Sequence, residues 1–135
     1  MPSYRIRDAA SLLGVSDDTV RRWVEDGRLS SLPADGPREI DGVELARFAE
    51  QLATSADRPL PGPITGASAR NRMVGLVTRV VRDTVMAQVD IQAGPFRIVS
   101  LMSREAADEL GLDPGVLAVA SIKATNVVVE VQENL

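Results

Sequence analysis

The chain has 135 residues, 44% of them apolar and only 3% aromatic, a net charge of −4, and neither cysteine nor histidine. Those absences exclude disulfides, thiol nucleophiles and metal cations held by thiolate or imidazole, and the negative charge restricts any attraction to nucleic acid to a local basic patch. No apolar run approaches the ~20 residues that span a bilayer, and MPSYRIRDAA lacks the layout of a signal peptide, so a cytoplasmic protein with no membrane partner is expected.

The amino-terminal part reads as helix, tight turn, helix, wing, helix. Ile6, Ala9, Ala10 and Leu13 form one helical stripe that Gly14 stops. Ser16 is placed to cap a second helix, with Asp17 and Asp18 in its first turn where the helix dipole favours them. In that helix Val20, Trp23 and Val24 face one way, and Gly27 closes it. SLPADGPREI predicts a short two-stranded wing turning at Asp35, Gly36 and Pro37, and GVELARFAEQLA restores a helix from about Val43 to Ala53.

TSADRPLPGPITGA, residues 54–67, carries three prolines and two glycines and reads as an extended linker. After it the periodicity shifts towards two, with many β-branched residues. MVGLVTRVV, TVMAQVDI and FRIVSLM predict a meander with turns at Arg82-Asp83 and Gln92–Pro95. SREAADELG predicts a short helix capped by Ser103 and ended by Gly111, and VLAVASIKA and NVVVEVQ predict two closing strands. The expected fold class is α+β: a winged helix-turn-helix over 1–53, the linker over 54–67, and over 68–135 a five-stranded OB-like β-barrel with one short helix. With so few aromatic residues in either half, association into a homo-oligomer is expected.

SARN (Ser68 to Asn71) stands at the mouth of the first barrel strand and SIKATNV (Ser121 to Val127) near the end. Together with LGLDPG between them, these motifs resemble the molbindin (Mop/TOBE) domain of molybdate-storage proteins, molybdate-responsive regulators and molybdate importers. The resemblance implies molybdate or tungstate as ligand, held between the subunits of a dimer or hexamer by Ser68, Arg70, Lys123 and Thr125, with backbone contacts from Ala69 and Ala124. The donor chemistry agrees. A tetrahedral dianion with no proton to give needs N–H, O–H and cationic donors and no carboxylate aimed at it, and the bend at Ala124 and Thr125 offers backbone N–H groups as an anion nest. Lys123, the single lysine beside fourteen arginines, is expected to be partly enclosed among apolar neighbours, a costly setting without an anion. Related domains often carry a Thr-Ala pair on the third strand where this chain has Val99 and Ser100, which removes or displaces one hydroxyl.

RIRDAASLLGVSDDTVRRWVEDGRL resembles the helix-turn-helix of the MerR and excisionase-like group. The implied partner is double-stranded DNA, with Ser16, Thr19, Arg21 and Arg22 on the second helix, Arg28 just beyond it and Arg38 on the wing as candidate contacts. Asp18 and Glu25 share the outward face and repel phosphate, so binding through dimers or arrays is expected. The wing sequence GPREIDG lacks the aromatic or Arg-Arg pattern frequent in that group.

These readings combine into a molybdate-responsive DNA-binding regulator. The alternative is a molybdate or tungstate store whose helix-turn-helix serves assembly. An enzyme is not expected, because paired carboxylates at cleft-like spacing, nucleophile and base pairs and a phosphate loop are all missing. Single-strand binding by the barrel would need stacking aromatics, and Phe96 stands alone there.

Overall fold

The computed structural model describes residues 2–33, 35–55, 66 and 68–132. The chain divides into two compact units, Met1–Arg58 and Pro59–Leu135. Beyond Ser55, the expected linker lies outside the described residues apart from Gly66. Among the described residues no helix is long and apolar enough to cross a membrane.

The first unit begins with β1 (Ser3–Arg5), followed by α1 (Ile6–Leu13), α2 (Asp17–Glu25), β2 (Glu39–Asp41) and α3 (Gly42–Ser55). Gly14 ends α1 at φ 72°, a left-handed turn that returns its N–H to Ala10 and Ser11. Ser16 caps α2 by accepting the Thr19 N–H at 3.2 Å. The core is Ala9, Ala10, Val20, Leu29, Ile40, Leu45 and Phe48, with Trp23 meeting Phe48 edge to face at 5.0 Å.

The wing differs from the sequence reading. SLPADGPREI supplies one strand, β2, whose antiparallel partner is β1 through Ser3↔Asp41, Tyr4↔Ile40 and Arg5↔Glu39. Within the described part of the segment, only the Leu32 N–H bond to the Glu39 carbonyl, at 2.7 Å, resembles the expected hairpin. Residues 31–38 are mostly small or turn-forming, with Leu32 the single large apolar residue, whereas SYR puts Tyr4 against the core.

In the second unit β3 (Asn71–Arg82), β4 (Met86–Ala93), β5 (Phe96–Ser103) and β6 (Leu117–Ile122) form one antiparallel sheet in the order β5-β4-β3-β6, with α4 (Arg104–Glu109) between β5 and β6. β3 is the spine. Its first half pairs with β6 and its second with β4, and a register shift between Val77 and Arg79 coils it where the partners change. Gly75 is needed at this crossing, because a Cβ there would lie 2.5 Å from the Gln92 carbonyl oxygen. The small core comprises Val77, Val89, Ile91 and Leu112, flanked by Ile98, Met102 and Val116. α4, capped by the Ser103 hydroxyl at 3.1 Å, is tied to β3 by Arg82, which donates to Asp108 at 3.0 Å and to the Leu112 carbonyl at 2.8 Å.

The helices and coiled antiparallel sheet make the fold α+β, but the described strands of this sheet number four, not five. The segment NVVVEVQ, expected to be the closing strand, forms no ladder among the described residues. A 3₁₀ turn at Ala124–Asn126 takes the chain away from the end of β6, leaving Val128, Val129 and Val131 at 84%, 81% and 89% exposure. A strand gains little from alternating apolar side chains unless a second surface covers them, and this unit supplies none to the tail.

Candidate functional site

Two sets of polar side chains stand out, one in each unit. In the first, burial of Val20 with Trp23 and Val24 turned inward leaves Asp18, Arg21, Arg22 and Glu25 exposed on α2. The hydroxyls of Ser16 and Thr19 lie 2.8 Å apart at the amino end of this helix, occupied with capping. Arg21 pairs with Asp18 at 3.2 Å, an exposed contact of small energetic weight. Arg28 takes a different position from the rest: its guanidinium lies 5.7 Å from the Trp23 ring centroid and 5.9 Å from that of Phe48, covering the aromatic pair.

Beside α2 lies an open cleft of about 630 Å³ lined by Arg5, Arg7, Arg21 and Arg38, with Asp17 and Glu25 on the helix wall. Sequence reasoning identified Arg21 and Arg38 but missed Arg5 and Arg7. SYR is too short to show a period, and only the β1–β2 register puts Arg5 against Glu39 and therefore next to Arg38.

In the second unit the two motifs meet. The β3–β6 ladder ends with Asn71 opposite Ile122. Ser68, Ala69 and Arg70 precede Asn71 in the chain, and Lys123, Ala124 and Thr125 follow Ile122, so the two triplets leave the sheet at the same end. The Asn71 side-chain amide donates to the Ile122 carbonyl at 3.1 Å and ties them together. Sequence reasoning quoted Asn71 inside its motif but gave it no role, since nothing in the sequence announces a contact 51 positions away.

Ser68, Arg70, Lys123 and Thr125 are exposed and Ala69 is half-buried. The enclosure expected for Lys123 is thus not supplied by its own unit, because β6 ends one residue earlier and the following turn projects outward. Among the described residues, neither Arg70 nor Lys123 has a carboxylate within ion-pair distance. In the turn the Asn126 N–H bonds to the Lys123 carbonyl at 2.9 Å and the Val127 N–H to the Ala124 carbonyl at 3.3 Å. The N–H groups of Ala124 and Thr125 have no acceptor among the described residues.

An apolar groove of about 590 Å³ leads from this end across the face between β5 and β6, with Ile98, Met102, Leu112 and Ile122 in its walls. Val99 and Ser100 line it from β5, where they pair with Asp90 and Val89.

The TOBE domain model matches residues 67–129, and a helix-turn-helix domain model matches residues 3–53. Molybdenum-pterin-binding proteins 1 and 2 of Clostridium pasteurianum are each 35% identical over 63 residues, covering 46% of this chain and 93% of theirs. A solved molybdate binding protein from Sporomusa ovata is 29% identical, covering 49% of this chain and 98% of that one, with a TM-score of 0.47. The matched domain model and the clostridial relatives, covered almost end to end, agree: through its carboxy-terminal unit the chain belongs to the TOBE-domain family.

Proposed function

We propose that the chain is a cytoplasmic, molybdate-responsive DNA-binding transcriptional regulator, in which the TOBE unit takes molybdate or tungstate at a subunit interface and the helix-turn-helix takes duplex DNA. The observation that carries this reading is the meeting of the two motifs at one end of the β3–β6 ladder. Ser68 and Thr125 bring hydroxyls, Arg70 and Lys123 bring positive charge, and Ala69 and Ala124 bring backbone N–H groups. That donor set matches a tetrahedral dianion, which accepts hydrogen bonds at every oxygen and donates none. The names of the clostridial relatives point to a molybdenum ligand.

Exposed cations in water hold an anion weakly, because each contact is screened and competes with solvent. A second copy covering the site removes that competition, which is why the ligand is assigned to an interface. The exposed valines of residues 127–131 support association, since packing on another chain takes them out of water. Dimer and hexamer both satisfy this requirement. An oxyanion bound between copies binds the assembled state better than the separated one, and that difference is what a ligand needs to shift an equilibrium.

On the head unit the assigned DNA contacts are Ser16, Thr19, Arg21, Arg22, Arg28 and Arg38. Asp18 and Glu25 oppose them on the same face, so two heads acting together are required for firm binding.

The test is isothermal titration of the full chain with molybdate and with tungstate, sulfate as control, repeated on Lys123→Ala, together with duplex-DNA binding in the presence and absence of molybdate. Sulfate-resistant heat that disappears in Lys123→Ala, with DNA affinity that changes on adding molybdate, supports the regulator. The absence of heat with either oxyanion sinks the sensor. Oxyanion binding without DNA affinity in either state leaves a molybdate store whose helix-turn-helix serves assembly.

A further inference from the structure

Outside the oxyanion site, four arginines line the open cleft beside α2. We propose that Arg5, Arg7 and Arg38 form a phosphate grip on the head unit, holding the sugar-phosphate backbone of duplex DNA while the outward side of α2 faces the bases. This rests on the DNA-binding reading of the head and adds to it two arginines, Arg5 and Arg7, not included in that reading.

Three elements fix the grip. Arg5 is the last residue of β1, Arg7 lies in the first turn of α1, and Arg38 directly precedes β2. The β1–β2 register sets Arg5 opposite Glu39, which would ordinarily invite a cross-strand ion pair. That pair does not form: Glu39 instead accepts the Ser3 hydroxyl at 3.2 Å. Among the described residues Arg5, Arg7 and Arg38 therefore have no carboxylate partner, although acids outnumber bases in this part of the chain. Three unpaired guanidinium groups around one open cleft repel each other, and an anionic partner relieves that repulsion.

Duplex DNA is the partner favoured because the fourth arginine of the cleft, Arg21, belongs to α2 itself. A strand lying in the cleft runs along the flank of the helix, which is where a backbone passes when such a helix enters the major groove. Arg21 exchanges its exposed pair with Asp18 for a phosphate at little cost. Asp17 and Glu25 on the same wall limit the affinity. An acidic protein segment would be held by the same charges but without the periodic spacing of phosphates.

The experiment compares the full chain with Arg5→Gln/Arg7→Gln, Arg5→Lys/Arg7→Lys and Arg21→Gln/Arg22→Gln, titrating a short mixed-sequence DNA duplex over a range of salt. Each phosphate contact contributes roughly 0.9 to the slope of log affinity against log salt. The expected result is a slope shallower by about 1.8 in Arg5→Gln/Arg7→Gln, with the weakening uniform across DNA sequences, unchanged thermal stability, and recovery in Arg5→Lys/Arg7→Lys. An unchanged slope in Arg5→Gln/Arg7→Gln, while Arg21→Gln/Arg22→Gln abolishes binding, overturns the grip and leaves the DNA-binding reading standing. Wild-type protein that binds no duplex even at low salt overturns both, and wild-type binding to acidic peptide in preference to duplex overturns the choice of partner.

Discussion

Asn71 donates its side-chain amide to the carbonyl of Ile122 at 3.1 Å, closing the final pair of the β3–β6 ladder at the point where both oxyanion motifs leave the sheet. Neither residue is among those assigned to the ligand, yet their bond sets how far apart the two motifs sit. It acts as a pin at the base of the site.

Replacing Asn71 with Ala is therefore expected to affect binding more than folding. Loss of one partly buried hydrogen bond costs about 1 kcal/mol of stability, while loosening two strand ends lowers molybdate affinity about tenfold or more, because the donors must be reordered on binding. Thermal unfolding and titration calorimetry on the same variant separate these effects. An unchanged affinity would show that the strand ends are held elsewhere.

The exposed valine tail gives a prediction about assembly. Truncation after Asn126 removes Val128, Val129 and Val131, each more than 80% exposed on one copy, and each worth about 1.5–3 kcal/mol if fully buried against a partner. The truncated chain is expected to sediment as a monomer and to lose molybdate binding along with the interface. A truncated protein that keeps both its mass in solution and its ligand would remove the tail from the assembly.

Acid sensitivity of the TOBE unit follows from Asp90, which is 5% exposed. It receives Arg97 through Nε at 3.0 Å and Nη2 at 2.9 Å, and Gln88 at 3.2 Å. The Arg97 hydrogen bonds, and after them that of Gln88, hold its carboxyl below the ordinary 3.8. Asp83 is lowered as well, by the backbone N–H groups of Met86 and then Val85 in the β3–β4 turn. For a carboxyl depressed in the folded state, the stabilisation is present above the unfolded value and is lost as pH falls through the folded one. The melting temperature of the TOBE unit is expected to hold between about pH 7 and pH 5 and to drop below about pH 4. Asp90→Asn should melt lower at neutral pH and show a weaker acid transition; a variant with the wild-type pH profile would remove Asp90 as the cause.

Gly75→Ala tests the crossing of the two ladders. The added methyl would stand 2.5 Å from the Gln92 carbonyl oxygen and 2.8 Å from the Ile91 Cγ2 atom, so β3 and β4 must move apart. Overpacking of this kind costs about 1–3 kcal/mol, readable as a lower melting temperature of the TOBE unit with the head unit unaffected. Wild-type stability would mean that the strands separate there at no cost.

Arg28→Ala examines a residue assigned to DNA that also covers Trp23 and Phe48. Loss of the cation over two rings and of its packing is expected to destabilise the head unit by about 0.5–1 kcal/mol in the absence of DNA. A melt matching wild type would leave DNA contact as its sole role.

Elements whose information is local were legible from the residues alone. Gly14 after the first stripe, Ser16 before the second helix and Ser103 before α4 mark helix ends within a turn of where they act. The alternation of β-branched residues marked β3, β4, β5 and β6, and SARN and SIKATNV carried their chemistry in a few adjacent letters. The pairings emerge only in the fold, because a hydrogen-bond ladder joins residues that share no local signal. The three-residue strand β1 pairs with β2 and brings Arg5 beside Arg38. Asn71 reaches Ile122 across most of the second unit. NVVVEVQ has the alternation of a strand and still forms no ladder among the described residues. Periodicity states what a segment buries if a partner is present, but only the fold, or another chain, supplies that partner.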